Sequence, residues 1–336
     1  DAPAGIKPAI RIKAPLSGDN TLRDHVQGDV TVASEQIDDF IILRSDGTPT
    51  YLLAVVVDDR DSGVNWVIRG DDHLSNTFRQ NVIYDAMGWD RPEYAHLPMI
   101  LGPDGAKLSK RHGAQGVMEF AEMGYLPEAM RNYLARLGWG HGDAEIFSDA
   151  EAATWFDIVD VVAAPARLDW AKLGHVNQHY IRLADDERLI GLVVEALRSR
   201  ETPLPADHAE RLRRTVPLVK EGAKTVLELA DLCLFSLKTR PLPLDEKARK
   251  LFTGEVAARL ARLTATLGVQ GDWKAPAMAA VLKAFADAEG GFGKFGPALR
   301  AILAAGAVAP DLASALAALG RTESLERIAE ALSHVQ

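Results

Sequence analysis

Residues 65–88 read NWVIRGDDHLSNTFRQNVIYDAMG. The opening NWVIRG is a short apolar run that ends in charge, as a strand does where it leaves a sheet. Ser75 sits where a hydroxyl can cap the free amides of a first helical turn. Phe78, Val82, Ile83, Ala86 and Met87 then fall on one helical face. Gly88 is placed to end that helix in the left-handed region. Upstream, Thr48–Asp59 (TPTYLLAVVVDD) is apolar and β-branched, which predicts a buried strand, with a turn over 59–63. Strand, strand and helix with a short polar joint imply part of an α/β layer.

Working outward, residues 1–45 mix short β-like runs (PAIRIKAP, DVTVASE, DDFIILRS) with Gly, Asn and Asp breaks, and predict a small, mostly β element. Downstream, LGPDGAKLSKRHGAQGV from Leu101 is a loop in which Gly102, Gly105, Gly113 and Gly116 flank basic side chains and a serine. Pro127 then sits where a first-turn proline is tolerated, with Met130, Tyr133, Leu134 and Leu137 at helical spacing before Gly138. Beyond about Leu183 the composition turns to Ala, Leu, Glu, Arg and Lys with helical periodicity. It is broken at ETPLPAD, TRPLPLD, GVQGDWKAP, EGGFGKFGP and GAVAPD. The expected fold class is α/β plus all-α.

A length of 336 residues predicts two domains at roughly 150 residues each, and 47% apolar with 25% charged residues is enough to build their cores. The formal charge is -9, from 38 basic and 47 acidic residues, which excludes a uniformly basic nucleic-acid coat but not a local basic groove. The single cysteine, Cys233, rules out an internal disulfide and reads as a buried helix residue in LADLCLFSL. No apolar run approaches the ~20 residues of a membrane span, and DAPAGIKPAIRIK lacks the apolar centre of a signal peptide, so a soluble intracellular protein is expected.

Two constellations carry chemistry. In Lys107-Leu108-Ser109-Lys110-Arg111, two ammonium groups three residues apart bracket a hydroxyl between glycine-rich flanks. Such a loop can fold over a polyphosphate and follow charge onto leaving pyrophosphate; the alternative is a solvated basic turn. It is not a P-loop, because the GxxxxGK[ST] spacing is absent. At the strand end, Arg69 can grip a carboxylate with parallel hydrogen bonds while Asp72 accepts from a ribose, since ligands bind where parallel strands end. The alternative is a loop salt bridge from Arg69 to Asp71 or Asp72. Tyr51 reads as a strand tyrosine with its hydroxyl at a rim. His73, His96 and His112 match no zinc spacing, and Asp58 and Asp59 read as turn or capping residues.

The segments TPTYLLAVVVDD, VIRGDDHLSNTFRQ, YAHLPMILGPDGAKLSKRHGA and YLPEAMRNYLARLGW together resemble the bacterial glutamyl-tRNA synthetases, which are class I aminoacyl-tRNA synthetases. LDWAKLGHVNQHYIR and GPALRAILAAGAVAPDLASALAALGR resemble later segments of that family, and KLSKR resembles its second ATP signature. The resemblance implies a remnant of the acceptor-binding insertion over 1–45 and the second half of a Rossmann-like catalytic domain over 46–100. It further implies a stem-contact region with the KLSKR loop over 101–185 and a helical anticodon-binding domain of two subdomains over 186–336.

By matching positions, Tyr51 and Arg69 fall where the family binds glutamate and Asp72 where an acid contacts ATP. Lys110 falls where the signature lysine contacts the phosphates, so Lys107, Ser109 and Lys110 are the expected catalytic loop residues, and no protein metal site is implied. ATP with Mg2+, L-glutamate and tRNA(Glu), with tRNA(Gln) as a further candidate, are the implied cofactors and partners of a cytoplasmic monomer. In the helical half, Arg211, Arg213, Arg214 and Lys220 are either anticodon contacts or a solvated helix face. The family's first ATP signature, an HIGH-like His-x-Gly-His, does not occur in these 336 residues. The expectation is therefore of an incomplete fragment, inactive by itself. Its rivals are a non-catalytic tRNA-binding module and an enzyme that glutamylates a nucleoside within tRNA, the latter disfavoured by the long helical half.

Overall fold

The computed structural model describes residue 5 and residues 7–108, 116–242 and 246–333. They fall into two compact units, one within Asp1–Gln115 and Arg131–Asp169, the other within Gly116–Met130 and Trp170–Gln336.

The short β runs of the first 45 residues form β1 (Ile10–Arg11), β2 (Asp19–Asp24), β3 (Gly28–Ala33) and β4 (Ile41–Leu43). Next come α1 (Tyr51–Asp61), β5 (Trp66–Gly70), α2 (Leu74–Met87), β6 (Glu93–Leu97) and β7 (Ile100–Leu101). Among the described residues, one sheet has the order β3-β2-β6-β5, with β3 antiparallel to β2 and β6 parallel to both β2 and β5. The crossover from β5 through α2 to β6 is a parallel β-α-β unit, whose ligand side is the carboxyl end of its strands. Register places Val67 opposite Tyr94 and Arg69 opposite His96, so these four side chains share a face. Beneath them Leu22, Phe40, Val56, Phe78, Val82 and Ile83 form a buried apolar cluster.

Two local expectations are corrected. Thr48–Asp59 is not a strand: the chain is helical from Tyr51, with Val56 buried and Leu52, Leu53 and Val55 partly buried. A short β-branched run does not distinguish a strand from one packed face of a helix, and tertiary packing decides it here. Asp58 and Asp59 accordingly lie in the last turns of a helix, and burial pushes the Asp59 carboxyl above its ordinary range. Nor does Ser75 cap α2. A 3-10 turn, Asp71–His73, precedes the helix, His73 occupies the N-cap, and no side chain makes the cap bond. Gly88 does end α2 in the left-handed region, at φ 67°.

The chain continues through α3 (Val117–Glu122), α4 (Pro127–Gly138), α5 (Asp149–Trp155) and β8 (Ala166–Arg167), which pairs in parallel with β7. The helical part consists of α6 (Trp170–Leu183), α7 (Asp186–Ser199), α8 (His208–Val219), α9 (Val226–Leu237), α10 (Glu246–Arg249), α11 (Gly254–Gly268), α12 (Ala275–Glu289), α13 (Gly296–Ala304) and α14 (Leu312–Ser333), the last broken at Gly320. The breaks ETPLPAD and GAVAPD fall between these helices, and GVQGDWKAP and EGGFGKFGP span the joints from α11 to α12 and from α12 to α13. Their core includes Phe235, Leu260, Leu263, Leu299, Leu316 and Ile328. Cys233 is buried in α9, and burial pushes its thiol up to about 12, which leaves it unreactive at neutral pH. No helix of the described residues is long and apolar enough to cross a membrane.

Candidate active site

Arg69 is the penultimate residue of β5, and its guanidinium is held by neutral acceptors. Nε donates to His96 Nε2 at 3.2 Å, and Nη2 donates to Thr77 Oγ1 and Gln80 Oε1, each at 2.7 Å. Among the described residues no carboxylate lies within ion-pairing distance of it, so the expected alternative, a bridge to Asp71 or Asp72, does not form. A part-buried guanidinium with only neutral partners retains its charge for an anionic ligand. Tyr51 opens α1 rather than lying on a strand; it is 52% exposed, with its ring 6.2 Å from that of His73. His73 in turn offers its carbonyl to Arg69 Nη2 at 3.5 Å.

Asp72, in the turn after β5, accepts from Lys107 Nζ at 3.2 Å. The Lys107 ammonium holds the Asp72 carboxyl below the ordinary carboxylate range. Gly70 leaves room for this arrangement, since a Cβ there would lie 2.7 Å from Asp72 Oδ1. Lys107 is delivered by a tight turn: Gly102 N–H donates to Ala106 O, Gly105 N–H donates to Gly102 O, and Ala106 N–H donates to Asp104 Oδ1. Gly105 adopts φ +80°, a conformation side chains rarely take, and the returning chain bridges Lys107 to Leu101. Both members of the Lys107–Asp72 pair are exposed, so the pair adds little stability and can exchange partners with a charged ligand. Ser109, Lys110, Arg111 and His112 lie outside the described residues.

The structure thus brings Tyr51, Arg69, Asp72 and Lys107 to one strand end, and adds Asp24, Thr77 and Gln80, which the sequence reading left out, and His96, which it weighed only as a metal ligand. His96 and Thr77 are fully buried, while Gln80 and Asp24 are 3% and 6% exposed. His96 Nδ1 lies 2.6 Å from Asp24 Oδ2. Burial pulls the His96 imidazole below its ordinary value, outweighing its bond to Asp24. Burial would raise the Asp24 carboxyl, but hydrogen bonds from the backbone of Gln27, the side chain and backbone of His96 and the backbone of Val26 bring it lower. The signal for His96 lay in the strand register, which no motif displays. In the helical unit Arg211, Arg213, Arg214 and Lys220 pair with Asp207, Glu187, Glu210 and Asp186 respectively, so none of these cations is free of a carboxylate.

Residues 2–175 match the family model described as tRNA synthetases class I (E and Q), catalytic domain, and residues 188–332 match an anticodon binding domain. A glutamate–tRNA ligase of Caulobacter vibrioides is 59% identical over 337 residues, spanning 99% of this chain and 72% of the relative. The glutamate–tRNA ligase of Phenylobacterium zucineum is 60% identical over 325 residues, spanning 96% of this chain and 69% of the relative. A glutamate tRNA ligase from Elizabethkingia meningosepticum, crystallised in complex with its amino acid, superposes with a TM-score of 0.80 at 32% identity, over 98% of this chain and 68% of that one. A β-α-β catalytic unit with cationic and carboxylate groups at its strand end, a separate helical unit, and these matches lead to one assignment: the chain belongs to the class I tRNA synthetases of the glutamate and glutamine group.

Proposed function

We propose that this chain carries the second ATP signature, the amino-acid side-chain anchor and the anticodon-binding part of a cytoplasmic, monomeric glutamate–tRNA ligase. The glutamate α-carboxylate attacks the α-phosphate of ATP, pyrophosphate departs, and the glutamyl group passes from the adenylate to the terminal ribose of tRNA(Glu). No covalent enzyme intermediate is needed, so catalysis is positioning and electrostatics. Arg69 and Tyr51 bind the side-chain carboxylate. Glutamine would leave the part-buried guanidinium without a counter-charge, a loss smaller than the ~3 to 5 kcal/mol of a fully buried broken pair but in the direction that discriminates against it. Asp72 holds ATP, while Lys107, Ser109 and Lys110 stabilise the departing pyrophosphate. Mg2+, carried by the ATP phosphates rather than by a protein metal site, would supply further neutralisation there. Residues 101–185 contact the acceptor stem, and whether tRNA(Gln) is also charged is decided by the helical part.

One observation carries this reading. Lys107 Nζ, at the base of the basic loop, lies 3.2 Å from Asp72, only three residues beyond an Arg69 with no carboxylate partner among the described residues. Recognition of a polyphosphate and of an amino-acid carboxylate is thereby supported at one strand end.

The test is tRNA glutamylation by this chain, alone or complemented by the amino-terminal part of a relative's catalytic domain. Lys110→Ala should lower the rate by about 100- to 1000-fold, and an unchanged rate would remove the loop from the mechanism. Because the first ATP signature is not among these 336 residues, pyrophosphate exchange by the chain alone should fall far below that of the complemented pair. Equal exchange by both would overturn that expectation.

A further inference from the structure

We infer that Asp24 and His96 are positioning residues for Arg69, fixing which of its N–H groups remain for a substrate carboxylate; this rests on the reading of Arg69 as the carboxylate anchor. Ionised Asp24 can only accept. Its Oδ1 receives the backbone N–H groups of Val26, Gln27 and His96 at 2.9–3.0 Å, and its Oδ2 lies 2.6 Å from His96 Nδ1. The imidazole proton therefore resides on Nδ1, and the bare Nε2 is an acceptor. Arg69 Nε, its registered neighbour on the adjacent strand, donates to that lone pair at 3.2 Å, and the Thr77 hydroxyl, 3.0 Å from the same nitrogen, shares it. His96 has no exposed surface, so water cannot substitute for either partner.

The second nitrogen of the fork is also fixed. Thr77 and Gln80 both accept from Nη2. A guanidinium only donates, so the Gln80 carbonyl must face it, which leaves the buried Gln80 Nε2 without a partner among the described residues. With Nε and Nη2 committed, Nη1 is the nitrogen without a partner among the described residues. The Asp24–His96 pair therefore takes Nε out of play, Thr77 and Gln80 hold Nη2, and the substrate carboxylate is left Nη1; a proton moved to His96 Nε2 would set a donor against the Arg69 Nε–H.

Imidazole-ring and arginine nitrogen NMR of the chain tests this without any turnover. His96 should show a protonated Nδ1 and a bare Nε2; the opposite tautomer would overturn the inference. In Asp24→Asn the carboxamide keeps Oδ1 for the backbone amides and turns its NH2 toward Nδ1, driving the ring proton to Nε2. The Arg69 Nε–H should then exchange with water at least about tenfold faster, and glutamate affinity should fall by about tenfold or more. Unchanged exchange in that variant would also overturn it. His96→Gln, which can offer a carbonyl oxygen near the Nε2 position, should keep glutamate affinity within about threefold, whereas His96→Phe should lose about tenfold. Equal affinities for the two would reduce His96 to a space filler. Arg69→Ala separates the two levels of argument: unchanged glutamate affinity there would defeat the anchor reading, while the ring spectra would still decide the positioning.

Discussion

His96 shows how a single residue can tie stability to the site. In an unfolded chain it titrates near the ordinary histidine value of about 6.5, whereas burial in the native protein holds it lower. Between those two values the unfolded chain binds a proton that the native state does not, so stability falls as pH drops from 7 toward 5. Asp24, whose native carboxyl lies below 3.8, adds a separate loss only at more acid pH. The thermal midpoint should therefore fall between pH 7 and pH 5, and His96→Gln should remove part of that fall. Identical pH dependence in both proteins would mean that the buried imidazole is not held low. Gly70 yields a second residue-scale expectation. A Cβ at 2.7 Å from Asp72 Oδ1 must push that carboxylate aside, so Gly70→Ala should weaken ATP binding by about tenfold and leave glutamate binding unchanged, as calorimetric titration would read. Equal loss of both ligands would point to a general collapse of the turn.

At the scale of elements, Arg327 is a buried side chain that ties three helices of the helical unit together. It is 2% exposed, donates from Nε to Glu323 Oε1 within α14, from Nη1 to Leu303 O in α13, and from Nη2 to Lys238 O at the end of α9. Arg327→Leu keeps much of the bulk but leaves the Leu303 carbonyl without its donor, while Lys238 O keeps Arg211 and Glu323 keeps Arg240, and should cost about 2 kcal/mol in denaturant unfolding. A loss near zero would mean that apolar packing alone seats the second half of α14. The elements differ in how far they could be read in advance. β5, α2 and its Gly88 terminus were legible because apolar period, polar joint and stop signal agree within a few residues. α1 was misread because TYLLAVVV satisfies a buried strand and a one-sided helix equally well. Arg69, Asp72 and Lys107 were legible as chemistry, being charged residues clustered at element ends. His96 and Asp24 were not: the bond to Arg69 spans 27 residues and that to Asp24 spans 72, and both depend on a strand register that local sequence does not encode.

At the scale of the molecule, the question is how a chain with a net charge of -9 binds an RNA. The basic residues that stood out in the helical half are each matched to a carboxylate on their own or a neighbouring helix. A tRNA phosphate can recruit one of them only by displacing that carboxylate, which then repels the same phosphate. Few such exchanges are favourable, so these four cations should add little to affinity, and the expected main source is stacking and hydrogen bonding to unstacked anticodon bases and shape. Each neutralised phosphate contributes about 0.7 to 0.9 to the slope of log affinity against log salt. With fewer than about five phosphates neutralised, the slope should stay shallower than about -4 when tRNA is titrated between about 50 and 200 mM salt. Anticodon substitutions should then weaken binding by similar factors at both ends of that range, because base contacts release few counterions. A slope near -8 would require those four ion pairs to open together, and would make the acidic partners Asp207, Glu187, Glu210 and Asp186 a gate on tRNA binding rather than clasps between helices.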